Sequence, residues 1–154
     1  MKNPGDKIHN ALLDLVEISE ETQKDKKDIK YKNMYSYLQW NKEFCTIKIS
    51  TSRRAGHTFA ISKLLQNKFI DKKIAIILPH AENLEKSIFN KNTNDNHTFC
   101  SIRNFFSSLK GHCNFDAIIC DCSSAFKTQQ INDIYSMASL ILNLDNPSFI
   151  IFVQ

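Results

Sequence analysis

Glycine and proline are scarce in this chain, with three of each among 154 residues. Segments rich in these residues mark flexible linkers and low-complexity regions, and none is present. The length fits one ordinary domain that can bury a sizeable core. Glycine and proline therefore give no sign of a domain boundary inside the chain.

A long apolar run is also missing. No segment approaches the roughly 20 apolar residues of a membrane span, and the N-terminus lacks the apolar region of a signal peptide. The five cysteines are an odd number, and Cys45, Cys120 and Cys122 lie in or beside apolar strand patterns. We therefore expect reduced thiols, a cytoplasmic location and no membrane association.

The charge is only mildly basic, at +4 from 20 basic and 16 acidic residues. This balance permits contact with nucleic acid but does not make a basic patch. Scattered solvated lysines are one interpretation. The other is that one edge of the fold binds a phosphate backbone through basic residues at several positions: Arg53, Arg54, Lys63, Lys68, Lys72, Lys73 and Lys127.

Residues 1–32 are predicted to form a helical N-terminal extension, separate from a domain at 33–154. Asp6 can cap a helix. Its apolar positions fall on one stripe at helical spacing: Ile8, Leu12, Leu15 and Val16. Asn33 can cap a short helix that carries Tyr37.

From residue 44 onward the pattern alternates between strands and helices. Strands are predicted at 44–49, 74–78, 98–102, 115–121 and 148–153, and helices at 59–65, 82–89, 103–110 and 131–141. The strands at 74–78 and 115–121 are apolar almost throughout, which is typical of a parallel sheet covered on both faces. The sequence therefore predicts a three-layer α/β fold with about five parallel strands.

The loop between the first strand and its helix reads Thr51-Ser52-Arg53-Arg54-Ala55-Gly56-His57-Thr58. It resembles the phosphate-binding pattern G-x-x-x-x-G-K-[ST], in which backbone amides and a helix N-terminus hold phosphate oxygens. Gly56 matches the glycine that a phosphate approaches closely. Thr58 matches the hydroxyl that coordinates magnesium.

Two positions of this loop depart from the pattern. Thr51 stands in place of the first glycine, and His57 replaces the lysine that reaches the outer phosphates. A largely neutral histidine is a poor substitute for that charge, but Arg53 and Arg54 can supply it from the other side. The alternative is an ordinary strand-to-helix loop with a solvated arginine pair.

Asp121 ends a strand of four apolar residues, in the manner of a Walker B strand. In a parallel sheet the carboxyl ends of strands lie together, so Asp121 is expected near the loop and opposite Thr58 across a magnesium ion. The alternative is a turn cap after a buried strand. No glutamate follows Asp121 to activate a water. The next residues are Cys122 and Ser123.

Over about residues 33–154 the chain resembles the ATPase domain of phage terminase large subunits, with superfamily 1 and 2 helicases as close relatives. The resemblance is carried by TSRRAGHT at 51–58, KKIAIILP at 72–79, FDAIICD at 115–121 and FIIFVQ at 149–154. It implies a P-loop NTPase (RecA-like) fold, ATP with magnesium as ligands, and Asp121 as the catalytic-site carboxylate. Terminases often have deviant phosphate loops that carry an arginine.

Two functions remain open from the sequence. One is a degenerate or weak nucleotide binder that acts as an accessory module on another phage or host protein, which can itself be a related ATPase. The other is an active ATPase of DNA packaging, replication or repair that takes catalytic groups from a partner subunit. Zinc is not expected, because the histidines and cysteines between His97 and Cys122 follow no recognised ligand spacing.

Overall fold

The computed structural model describes residues 3–28, 36–52, 55–80, 95–143 and 145–154. All five predicted strands are present within these ranges: β1 (Thr46–Ile49), β2 (Ile74–Leu78), β3 (His97–Ser101), β4 (Ala117–Asp121) and β5 (Phe149–Val153). The predicted cap Asn33, the predicted helix at 82–89 and the arginine pair at 53–54 lie outside the described residues.

The five strands form one all-parallel sheet with the order β1-β5-β4-β2-β3. Val153 of β5 is in register with Ile49 of β1 on one side and with Asp121 of β4 on the other. The carboxyl ends of these three strands are therefore level at one edge. The predicted α/β class and parallel sheet are confirmed.

Five helices are described beside the sheet: α1 (Pro4–Asp25), α2 (Tyr37–Trp40), α3 (His57–Gln66), α4 (Phe105–Leu109) and α5 (Thr128–Ile141). Side chains of the strands alternate between two apolar cores. Ile74, Ile76 and Leu78 of β2 pack with α1 and α3, whereas its Ala75 and Ile77 pack with α4 and α5. The sheet is thus the middle layer of three.

Helix α1 begins earlier than the sequence pattern indicates. The side chain of Asn3, not of Asp6, caps it by accepting a hydrogen bond from the Gly5 amide at 2.9 Å. Pro4 then occupies the first turn, where its fixed φ favours the helix and its missing N–H has no cost. Asp6 instead lies inside the first turn and forms an ion pair with Lys63 of α3, at 2.7 Å.

Helix α1 is docked along its length. Ile8, Leu12 and Val16 are buried in the same core as α3. Near its C-terminal end, Gln23 Nε2 donates to the Ser148 carbonyl at 2.8 Å, and Gln23 Oε1 accepts from the Ser148 amide at 3.1 Å. A buried amide side chain that satisfies a backbone N–H and C=O together fixes the helix to the start of β5.

Strand β1 begins two residues later than predicted. Phe44 and Cys45 belong to a π-helical turn, Asn41–Cys45, that continues α2. The rings of Trp40 and Phe44 contact each other at 4.7 Å between centroids, a pairing of residues four apart that helical geometry allows. Thr46 Oγ1 donates to the Asn41 carbonyl at 2.8 Å at the junction with the strand.

The five cysteines are free thiols. Cys45, Cys100 and Cys120 are buried, Cys122 is half-buried and Cys113 is exposed. Burial raises the pKa of Cys100 to about 12 and the pKa of Cys120 well above its ordinary value.

In the part of the chain that the structure describes, every helix is too short or too polar to cross a membrane.

Candidate functional site

The candidate site lies at the carboxyl edge of the sheet. Helix α3 follows β1 and packs on one face, whereas α5 follows β4 and packs on the other. Strand β5 lies between β1 and β4. Where successive connections leave a parallel sheet on opposite faces, their loops diverge and open a crevice at this edge.

Thr58 and Asp121 meet in this crevice. Thr58 is in the first turn of α3 and Asp121 is the last residue of β4. Thr58 Oγ1 donates a hydrogen bond of 2.8 Å to Asp121 Oδ2, across 63 residues of sequence. The Asp121 side chain is only 4% exposed. The structure therefore brings together the two residues for which the sequence predicts a role at magnesium.

The two residues that depart from the phosphate-loop pattern contact each other. Thr51 Oγ1 forms a hydrogen bond with His57 Nε2. The Thr51 amide donates to the Gln154 carbonyl at 2.7 Å, and the Gln154 amide donates to the Ile49 carbonyl at 2.9 Å, which extends the pairing of β1 with β5. This hydrogen bond thus links the end of the loop, at His57, to its beginning, at Thr51.

Gly56 has a structural reason to be glycine. Its φ is +88°, in the left-handed region, immediately before α3. A methyl group built on Gly56 would lie 2.9 Å from Cα of Gly5 and 3.0 Å from its nitrogen, in the first turn of α1. The fold therefore requires glycine here whether or not a phosphate approaches. Sequence patterns gave no signal for Gly5, because it is remote from the loop along the chain.

The second carboxylate oxygen of Asp121 faces Cys122. The thiol donates to Asp121 Oδ1 at 3.5 Å from a residue in left-handed conformation, with φ of 51°. Burial and then the negative charge of Asp121 raise the pKa of Cys122 to about 11. Cys122 is therefore a protonated donor at neutral pH and cannot act as a general base.

Ser123 extends this arrangement to the end of β5. Its single hydroxyl proton is shared between two acceptors, Gln154 Oε1 at 3.4 Å and the Val153 carbonyl at 3.5 Å. The ends of β4 and β5 are thereby joined beside the loop. Neither a serine with these neutral partners nor a glutamine supplies a base for water activation.

The predicted loop residues differ in their exposure to solvent. Thr51 and Ser52 are exposed, whereas Ala55, Gly56, His57 and Thr58 are half-buried. The positions of Arg53 and Arg54 lie outside the described residues, so their predicted phosphate contacts stay predictions.

A magnesium ion fits the chemistry of the Thr58–Asp121 pair. Magnesium prefers hard oxygen ligands and usually takes one or two from the protein, with phosphate oxygens and waters completing the shell. A buried carboxylate and a hydroxyl in contact offer that minimum. Among residues 3–28, 36–52, 55–80, 95–143 and 145–154, no three His, Cys, Asp or Glu side chains converge as a metal site made by protein alone.

A cavity of about 340 Å³ lies at the opposite, amino-terminal edge of the sheet. Its lining includes Lys68, Lys72, Glu20 and Asp116, beside Phe149 at the start of β5. Carboxylates and ammonium groups are mixed in its wall, and Lys68 forms an ion pair with Glu20 at 3.4 Å. It is distinct from the crevice that contains Asp121.

No protein-family model, no curated protein and no solved structure matches this chain. The resemblance to terminase and helicase ATPase domains therefore stays a prediction from the sequence.

Proposed function

We propose that this protein has a P-loop NTPase-like, RecA-like fold and binds a nucleoside triphosphate with magnesium at the carboxyl edge of its sheet. Binding is weak, and the protein works in the cytoplasm as an accessory module rather than as an efficient ATPase. The observation that carries the proposal is the 2.8 Å contact between Thr58 and Asp121. It joins the hydroxyl after the loop glycine to the carboxylate that ends β4.

In this proposal Thr58 and Asp121 hold the magnesium side of the ligand. The metal, when bound, neutralises charge on the phosphate oxygens. The backbone amides of residues 55–58 hold the phosphates, assisted by the positive N-terminal end of α3. Arg53 and Arg54 add charge from the first half of the loop.

Weak affinity follows from the position of His57. Its imidazole replaces a lysine ammonium and already has Thr51 as a hydrogen-bond partner. A phosphate oxygen that recruits this ring must compete with that bond. The ring gains a full positive charge only when it is protonated.

The residues after Asp121 favour binding over hydrolysis. Cys122 has a pKa of about 11 and remains a thiol, and Ser123 is hydrogen-bonded to β5 and its end. Activation of a water would need a base from elsewhere. We therefore favour an interaction module that docks on another phage or host protein, such as a related ATPase, over an ATPase of DNA packaging, replication or repair that is complete only with a partner subunit.

Nucleotide binding is tested by titration with a fluorescent ATP analogue, with and without magnesium. The wild-type protein should bind in the presence of magnesium. Asp121→Asn should weaken binding at least about tenfold, because it removes the charge that faces the metal. Asp116→Asn is the matched control, since Asp116 precedes the opposite end of the same strand. No binding at millimolar nucleotide, or equal loss in both variants, refutes the proposal.

Hydrolysis is tested separately by steady-state phosphate release, with and without DNA. We expect release near the uncatalysed background. Efficient turnover would favour the ATPase instead, with a second copy of the chain as the partner subunit that supplies the missing base. If DNA binds, its affinity should fall steeply between roughly 50 and 200 mM salt when phosphate contacts dominate.

A further inference from the structure

Two of the three glycines in the chain meet at the candidate loop. A methyl group built on Gly5 would lie 2.6 Å from Cδ1 of Phe59 and 3.2 Å from the Gly56 carbonyl oxygen. The reciprocal methyl group on Gly56 would lie 2.9 Å from Gly5 Cα. The two backbones are therefore close together: a side chain on Gly56 would collide with the first turn of α1, and one on Gly5 would displace the Phe59 ring and press on the Gly56 carbonyl.

Contacts beyond the glycines hold α1 at this distance from the loop. Asp6 pairs with Lys63 of α3 at 2.7 Å, and Glu20 pairs at 3.4 Å with Lys68, two residues beyond the end of α3. Helix α1 therefore runs alongside α3 and in the same direction. Gln23 fixes the far end of α1 to Ser148. The first turn of α1 is thus held from several directions and cannot retreat freely from Gly56.

The contact reaches the groups that would bind a phosphate. The Gly56 carbonyl accepts the Ala60 amide at 2.9 Å, the first hydrogen bond of α3. The amides of His57 and Thr58 follow immediately in the chain. A displacement of the Gly56 carbonyl therefore turns the peptide units whose N–H groups open the helix.

We propose that Gly5 is a positioning residue of the phosphate site: through Gly56 and Phe59, the first turn of α1 sets the orientation of the loop amides at 55–58. This inference rests on the proposed function for its ligand. Helix α1 would then form one side of the phosphate site. By linkage, a ligand that orders the loop also strengthens the docking of α1.

The test compares Gly5→Ala with Gly111→Ala. Gly111 has φ of +82° but no atom within 4 Å of an added methyl group, so its replacement introduces backbone strain remote from the loop. Backbone amide resonances of residues 55–58 should shift in Gly5→Ala and stay in place in Gly111→Ala. Affinity for magnesium-ATP should fall by about tenfold in Gly5→Ala only, since the loss of one hydrogen bond to a charged phosphate has an effect of this order.

A double variant separates a steric route from general destabilisation. Gly5→Ala combined with Phe59→Ala removes the 2.6 Å contact and leaves only the 3.2 Å contact with the Gly56 oxygen. It should recover part of the lost affinity relative to Gly5→Ala. If Gly5→Ala does not fold, the double variant is compared with Phe59→Ala, and the Gly5 change should still shift the loop resonances.

The outcomes distinguish the two proposals. Wild-type protein that binds magnesium-ATP, with unchanged affinity and loop resonances in Gly5→Ala, would overturn only the role of Gly5. Wild-type protein that binds no nucleotide would overturn the proposed function and, with it, the positioning role, even if the loop resonances shift. A folded double variant without recovery would overturn the part of the proposal that runs through Phe59 and leave only the contact with the Gly56 oxygen.

Discussion

Thr51 and His57, the two residues that depart from the phosphate-loop pattern, are hydrogen-bonded to each other. Each would be unfavourable alone in a phosphate loop, yet their side chains satisfy each other. At these positions the pattern has a flexible glycine and a charged lysine, and this chain has a hydroxyl and an imidazole. The consequence is a loop whose two ends are joined before any ligand arrives.

We predict that Thr51→Gly combined with His57→Lys strengthens magnesium-ATP binding by about tenfold or more, because it frees the loop and adds an ammonium group. The measurement is the titration with a fluorescent ATP analogue. His112→Lys, an exposed position outside the crevice, adds the same charge as a control. A gain of equal size in the control would attribute the effect to net charge.

His9 is the least satisfied polar side chain of α1. It is 4% exposed, and neither ring nitrogen has a hydrogen-bond partner. Burial and then the positive charge of Lys63 lower its pKa below the ordinary value, and the neighbouring Asn10 side chain and then Asp6 oppose them. The neutral ring is the form that the folded protein accepts.

This lowered pKa predicts acid sensitivity. The folded state binds a proton on His9 less readily than the unfolded state, so stability is complete above a pH of about 6.5 and falls as the pH decreases below it. Urea unfolding at several pH values between 5 and 8 measures this slope. His9→Phe should flatten it. Identical slopes in the two proteins would contradict the prediction.

At the scale of elements, α1 depends on a polar anchor as well as on its apolar stripe. Gln23 donates to Ser148 O and accepts from Ser148 N, and its Nε2 also contacts Ser19 Oγ at 3.1 Å. These buried donors and acceptors have each other as hydrogen-bond partners only while all three residues are in place. Removal of the glutamine leaves a backbone donor and acceptor without this partner.

Gln23→Ala should lower the free energy of unfolding by about 1–3 kcal/mol, the desolvation cost of groups left unsatisfied. Chemical denaturation measures the change. Gln129→Ala in α5 is the matched control, because Gln129 is exposed and its bond to Asp133 lies at the surface. Equal losses in the two variants would show that the Ser148 contacts contribute little.

Some of the strands and helix ends could be predicted from the sequence, and others could not. Strands β2, β4 and β5 were predictable because both of their faces are buried, which leaves continuous apolar runs. The predicted start of β1 was wrong because Phe44 alternates like a strand residue but contacts the Trp40 ring at a tilted angle within a helical turn. Asn3 and Asp6 are both capping residues, and only the position of Pro4 decides between them.

Some contacts of the candidate site could be predicted from the sequence, and others could not. The approach of Asp121 to Thr58 follows from a general rule about the edges of parallel sheets, so the sequence alone predicts it. The contact of Gly5 with Gly56 and the bond of Thr51 with His57 depend on how helices and loops pack in three dimensions. No periodicity along the chain encodes either.

For the whole molecule, ligand binding and folding are linked. At a magnesium-ATP concentration 100 times its dissociation constant, the free energy of unfolding should rise by about 2.7 kcal/mol. Thermal unfolding with and without the ligand measures the corresponding increase in melting temperature. Asp121→Asn should lose the increase at the same ligand concentration, whereas Asp116→Asn should keep it. A rise that persists in Asp121→Asn would place the ligand elsewhere.

The graded burial of the cysteines makes the thiols a chemical reporter. Only Cys113 is exposed in the folded protein, whereas burial raises the pKa of Cys100 and Cys120, which lie in the core beneath α4 and α5. A maleimide reagent near neutral pH should therefore label Cys113 rapidly, and should label Cys100 and Cys120 only when the core beneath α4 and α5 opens. The labelling rates of Cys100 and Cys120 would therefore measure how fast the core beneath α4 and α5 opens, separately from the core that contains α1.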